Sequence, residues 1–326
     1  MRMSDRWTPN VVFFGLTLGV LAVIPMLSIT TGATMDFDAS AARATEKTGI
    51  EQTSNLLVVI RLALAEPALW LLILGSCVPM LAALITCLLF DRSEILRIFG
   101  RLRPVMPGAS LATALKAYVL LFLTIPVLLG IIFGVRQLLP GDFAYVHSGY
   151  IFGPGLVVAL LLSAFLDQGG VLEELGWRGY GQPTLQEKLL TPLNAALVIG
   201  LAWGLWHVPR DVVDGVVDRL GLIQYLGLYL PSFVLGTLAT SIIIGYFMNR
   251  TGGSVLPGIM IHGISNDAVG IAGEATMAVA LTPYHQLTQN IPFALLAALL
   301  VLMHGKELGK PGRTTYPSAS SVYFDG

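Results

Sequence analysis

Long apolar runs, separated by short polar or glycine- and proline-containing stretches, recur from one end of this chain to the other. Runs long enough to cross a bilayer as a helix, roughly 20 residues each, can be drawn eight times, at about 11–31, 68–90, 114–135, 150–167, 192–209, 222–248, 253–273 and 288–304. The runs are continuous rather than alternating, so they predict helices and not the strands of a barrel. The expected fold class is all-α: a polytopic integral membrane helical bundle of about eight transmembrane helices. The stretch from Leu56 to Trp70 is also apolar but carries Arg61 and Glu66-Pro67. It reads as an interfacial helix that breaks before the second span, with a tilted extension of that span as the alternative. The first run follows Arg2 and Arg6 and has no clear small-residue cleavage site after it, which predicts an uncleaved helix rather than a signal peptide.

Composition agrees with the pattern. Of 326 residues, 55% are hydrophobic and only 12% charged, with a mean hydropathy of +0.74. Such a balance leaves too little polar surface for a water-soluble domain, so membrane lipid is the expected surrounding. A net charge of −1 gives no reason to expect a nucleic-acid partner. No repeat or flexible linker divides the chain, which predicts a single domain over residues 1–326. A tail over about 312–326, rich in Ser, Tyr and Thr, reads as disordered. Cys77 and Cys87 share one apolar run, where about 15 Å of helix rise would keep them apart, and their spacing matches no zinc or redox pattern. Gly200 and Gly204, with Ala196 one turn earlier, form a small-residue stripe suited to close helix packing.

Positive charge sets the expected orientation. The loop after the second span holds Arg92, Arg97, Arg101 and Arg103, whereas the loop after the first holds Asp36, Asp38, Glu46 and Glu51 against Arg43 and Lys47. The arginine loop is expected in the cytoplasm, and with eight spans both termini fall there too. The expected location is integral and multi-pass, with a bacterial cell membrane favoured.

Ionisable groups inside spans are costly unless partnered, so each is a candidate functional residue. Three clusters stand out: Glu173-Glu174-Leu175-Gly176-Trp177-Arg178, Trp203-Gly204-Leu205-Trp206-His207 and His262-Gly263-Ile264-Ser265-Asn266. Residues four apart share a helix face, so Glu174 can pair with Arg178 while Glu173, turned by about 100°, points elsewhere. By the same spacing His262 and Asn266 can reach one oxygen or one metal ion, and Trp203 can wall His207 from lipid. Each cluster alone has a plainer reading: a solvated acidic helix end, an interfacial histidine, a self-satisfied polar pair. Together, a carboxylate, two imidazoles and an amide are the parts of a water-activating hydrolytic site.

The order E-E-x-x-x-R, an aromatic residue four before a histidine, then H-x-x-x-N, on successive hydrophobic segments, resembles the CAAX-protease and bacteriocin-processing family of intramembrane endopeptidases. Glu173-Glu174-Leu175-Gly176-Trp177-Arg178-Gly179-Tyr180 and Trp206-His207-Val208-Pro209 carry the resemblance, within a motif-bearing region of about 150–273. Trp203 stands where many relatives have Phe. The resemblance implies hydrolysis of a peptide bond in a membrane-associated protein or peptide, prenylated, CAAX-like or otherwise. It implies Glu173 as the general base, His207 as a second holder of the water, His262 and Asn266 as oxyanion stabilisers, and Glu174 bonded to Arg178 in support. Glu173, His207 and His262 could instead bind zinc, and no H-E-x-x-H spacing decides between the two. A non-catalytic membrane scaffold or self-immunity protein, and a secondary transporter, are the rival classes.

One feature of this topology conflicts with itself. Glu173 falls near a span's cytoplasmic end, while His207 lies about 20 Å along the next span. Either Gly169-Gly170 breaks the chain so that the acidic motif re-enters the membrane, or the segment before Ala195 starts outside it. Asp211, Asp214 and Asp218 recur every three to four residues and predict a solvated acidic face. Asp267 carries no assigned role, and Asp167, before Gly169, reads either as a helix-end residue or as lining a water path.

Overall fold

The computed structural model describes residues 3–31, 37–139, 145–146, 155–188, 190–271, 274–275 and 283–310. The expected disordered tail lies outside them. Every one of the eight apolar runs is met by a helix, in the order α1 (Met3–Thr31), α4 (Trp70–Phe90), α6 (Leu111–Gln137), α7 (Gly155–Leu166), α10 (Pro192–Trp206), α14 (Leu230–Arg250), α15 (Leu256–Ile271) and α16 (Pro283–His304). Among the described residues, four helical stretches are long and apolar enough to span a membrane alone: Pro67–Phe90, Leu111–Gln137, Leu222–Arg250 and His285–Glu307. Leu89, Leu123, Val127, Leu295 and Leu302 stand on the outside, each more than half exposed. That is the perimeter of a bundle whose solvent is lipid.

Between the spans lie α2 (Phe37–Thr48), α3 (Leu56–Ala65) and α5 (Ser93–Gly100). Helix α3 ends at Glu66-Pro67, where a short 3-10 turn over Pro67–Leu69 leads into α4. A separate helix that breaks at the proline is thus what forms. Arg43 and Lys47 of α2 both bond Glu66, at 3.1 and 2.8 Å, and fasten α2 to this corner. A two-residue antiparallel pair joins Tyr145–Val146 to Glu274–Ala275.

The acidic motif sits on α8 (Gln168–Gly176), which continues through a π turn at Trp177–Gly181 into α9 (Gln182–Lys188). The chain breaks at Asp167, an extended residue whose carboxylate accepts the Gly170 amide at 2.6 Å and caps α8. Gly169 and Gly170 are inside the helix, so the expected break is real but lies just before them. The depth conflict disappears with this arrangement. Glu173 lies about 20 Å of helix rise above the end of α9, and His207 about the same distance above the start of α10.

Glycines let the inner helices meet backbone to backbone. A β-carbon on Gly263 would run into the Ser163 carbonyl oxygen, and one on Gly176 into the Pro79 carbonyl carbon. The stripe at Gly200 and Gly204 packs on Leu238 and Thr237 of α14, as its spacing predicts. Gly176→Ala is expected to force α4 and α8 apart, because backbone cannot rotate away as a side chain would. The cost should reach about 3 kcal/mol, read as a fall in thermal unfolding temperature in detergent.

The acidic face does not form as expected. Asp211, on α11 (Val208–Val213), is only 1% exposed, and it accepts the Tyr225 hydroxyl at 2.9 Å and the Arg210 guanidinium at 3.0 Å. The helical pattern stops at Asp214, and Gly215 and Gly221 turn the chain at φ of 68° and 75°. Tyr225 is thereby brought back over Asp211. Cys87 is buried and Cys77 is half-buried.

Candidate active site

Glu173 and Glu174 are adjacent and both buried, at 4% and 0% exposure, yet their surroundings differ. Glu174 Oε1 accepts Arg178 Nη1 at 2.6 Å and faces His262 Nδ1 at 2.8 Å. The guanidinium is 0% exposed and also lies over the Trp203 ring, 4.9 Å from its centre. An ionised Glu174 can only accept, so His262 Nδ1 carries a proton and the ring orientation is fixed. The i,i+4 pair expected from the sequence therefore has a third member.

Glu173 points away from this pair, as the turn of the helix requires. Its Oε2 accepts Trp203 Nε1 at 3.0 Å. The tryptophan is closer to His262, at 4.6 Å between ring centres, than to His207, at 6.2 Å. Its position serves Glu173 and His262 more than it walls His207, which packs instead against Trp206 and Phe233, both at 4.9 Å. His207 Nδ1 lies 2.8 Å from the Trp203 carbonyl. A carbonyl oxygen only accepts, so Nδ1 donates and Nε2 is left with its lone pair.

The remaining polar atoms converge at one point. A β-carbon on Gly169 would lie 2.8 Å from His262 Nε2, 3.1 Å from Asn266 Nδ2 and 3.2 Å from Glu173 Oε1. Three polar side-chain atoms therefore surround a spot that only glycine leaves open. Asn266 Nδ2 also donates to Asp167 Oδ1 at 3.1 Å, which holds the amide and leaves its second N–H unused by that bond. These groups, with His207, line a cavity of about 500 Å³ that Gln52, Ser54 and Val59 line as well.

All four expected catalytic residues and all three expected supporting residues are thus gathered here. Two neighbours join them that the motifs do not include. Asp167 both caps α8 and holds Asn266. Asp267 accepts the hydroxyls of Ser54 and Ser163, tying the chain before α3 to the inner helices. Their partners are distant in sequence, and only the polar residue inside an apolar run could have marked them.

Among the described residues no group of three or more His, Cys, Asp and Glu side chains is placed to hold a metal ion.

Fold and site together define a helical membrane protein whose cavity presents a carboxylate, two imidazoles and an amide to one space. Residues 153–267 match the family model described as type II CAAX prenyl endopeptidase Rce1-like. Over 161 residues the chain is 30% identical to CAAX prenyl protease 2 of Methanococcus maripaludis, covering 47% of this chain and 55% of that protein. The chain thus spans about half the length of the curated relative that it matches. The resemblance to the CAAX-protease family read from the motifs holds over this segment.

Proposed function

We propose that the chain is an intramembrane endopeptidase that hydrolyses a peptide bond in a membrane-associated protein by water activated at Glu173. The observation that carries this reading is the convergence of Glu173 Oε1, His262 Nε2 and Asn266 Nδ2 on the open spot at Gly169. The matching family segment, with a relative named as a prenyl protease, agrees with it.

In this mechanism Trp203 holds one oxygen of Glu173, and the other takes a proton from the attacking water. His207 Nε2 accepts the water's second O–H. As the water adds, the scissile carbonyl oxygen becomes an oxyanion, which receives the spare N–H of Asn266 and a proton-bearing Nε2 of His262. For His262 to donate from Nε2 while Nδ1 bonds Glu174, the ring must hold both protons, and ionised Glu174 balances that charge. Collapse of the adduct returns a proton to the leaving amine, with Glu173 as its source.

The test is hydrolysis by the purified, reconstituted chain in ¹⁸O-labelled water, with a detergent extract of membrane proteins as substrate. New C-termini that carry the label, and that are missing with Glu173→Ala, support the reading. Their equal appearance with both proteins would overturn it. Chelators are expected to leave the rate unchanged. Gly169→Ala is expected to put a methyl group where the water sits, lowering kcat by about 100-fold while the unfolding temperature moves little.

A further inference from the structure

The helix ends sort charge onto two faces, and the cavity belongs to one of them. Arg101 bonds Glu187 at the end of α9 at 3.4 Å, and its carbonyl accepts the Val255 amide at the start of α15. Thr251, after α14, accepts the Met106 amide. The arginine loop, the end of α9 and the turn between α14 and α15 thus share one face, with Lys188 and Arg250 at its helix ends. Asn249 bonds the Leu308 carbonyl, so the end of α16 is there too.

The opposite face carries α2, α3 and α11. Its cations are fewer, and three are engaged: Arg43 and Lys47 on Glu66, Arg210 on Asp211. Arg61 is the other on those helices, and Arg219, in the residues after α11, bonds the Asp214 carbonyl at 2.7 Å. The cavity lies on this side. It is lined by Leu72 and Ser76 in the first turns of α4, by His207 at the end of α10, by Asn266 in the later half of α15 and by Gln52 before α3. The site is about 20 Å from the arginine face by helix rise, in a hydrocarbon layer of roughly 30 Å, which puts it nearer the opposite boundary.

Arginine- and lysine-rich loops stay in the cytoplasm. We infer that this site takes its peptide from the extracytoplasmic side, from a juxtamembrane or loop segment of a membrane protein, with the chain around Gln52 and Ser54 as the wall it enters past. A cytoplasmic protein carrying a lipidated C-terminus would meet the arginine face instead. This inference rests on the peptidase reading for the nature of its substrate, but its geometry can be tested without any turnover.

The first arm replaces Cys77 and Cys87 by alanine in the full chain and adds one reporter, Gln52→Cys in the cavity wall or Arg103→Cys in the arginine loop; both native positions are exposed. Intact cells are treated with a membrane-impermeant maleimide. Labelling of the Gln52 reporter in intact cells, with the Arg103 reporter labelled only after permeabilisation, is expected; the reverse pattern would overturn the inference. The second arm maps the Glu173-dependent termini onto their parent proteins, where they should fall in extracytoplasmic segments. Termini confined to cytoplasmic segments would sink the inference and leave the peptidase reading standing. If no Glu173-dependent termini form, the peptidase reading fails, and with it the substrate assignment, whatever the labelling pattern.

Discussion

Glu173→Gln is expected to lower turnover by about 1,000-fold or more while leaving the protein folded. Glutamine has nearly the same shape as glutamate, and its amide oxygen can keep the Trp203 Nε1 bond measured at 3.0 Å. Neighbouring groups would therefore stay where they are. What is lost is the ability to take a proton from water, and positioned acid–base groups contribute about 10² to 10⁴ in rate. Since Glu173 would act on the water and not on the peptide itself, substrate affinity should survive. The change should fall on kcat, with KM and the detergent unfolding temperature close to wild type. A large fall in unfolding temperature would instead assign Glu173 a structural part.

Glu174→Ala should fail differently, by loss of fold. Both partners of Glu174 are buried: Arg178 is 0% exposed and His262 2%. Removing the carboxylate strands a guanidinium in the protein interior and leaves His262 Nδ1 without its acceptor. Breaking a buried pair from one side costs about 3–5 kcal/mol, because the remaining charge has neither water nor counter-ion. The cation–π contact with Trp203 compensates little of this. The measurement is thermal or denaturant unfolding in detergent beside wild type and Glu173→Gln. Stability equal to that of Glu173→Gln would contradict the division of labour between the two glutamates. A double variant that also replaces Arg178 by Met should recover part of the stability without recovering turnover, since His262 stays unanchored.

That division was partly legible from the chain. A spacing of four residues aligns Glu174 with Arg178, and the turn of about 100° to Glu173 separates the two carboxylates. The eight apolar runs were legible for an equally local reason, since each must satisfy its own backbone within the membrane. The family resemblance named the remaining roles from the order of three motifs.

Less legible was everything that depends on contact between distant segments. The bond from Trp203 to Glu173 joins separate helices, and the sequence shows only that Trp203 shares a face with His207. The paired glycines at 169 and 170 resemble a helix break, but the break is at Asp167. The glycines are needed for space: Gly169 leaves open the spot where Glu173, His262 and Asn266 converge, and Gly170 comes close to the Ile259 carbonyl. Asp211 shows the same limit, since its spacing with Asp214 and Asp218 suggests a wet face. Two glycines with positive φ turn the chain so that Tyr225 covers it. Ser54 and Asp267, 213 residues apart, could not be paired by any periodicity.

The most direct test of the central claim compares membranes carrying wild-type protein with membranes carrying Glu173→Gln at equal abundance, reading all new peptide termini by mass spectrometry. The account predicts a set of termini present with the wild type and absent with the variant. Identical sets from two folded, equally abundant proteins would contradict it and point to a scaffold that keeps this cavity for binding alone.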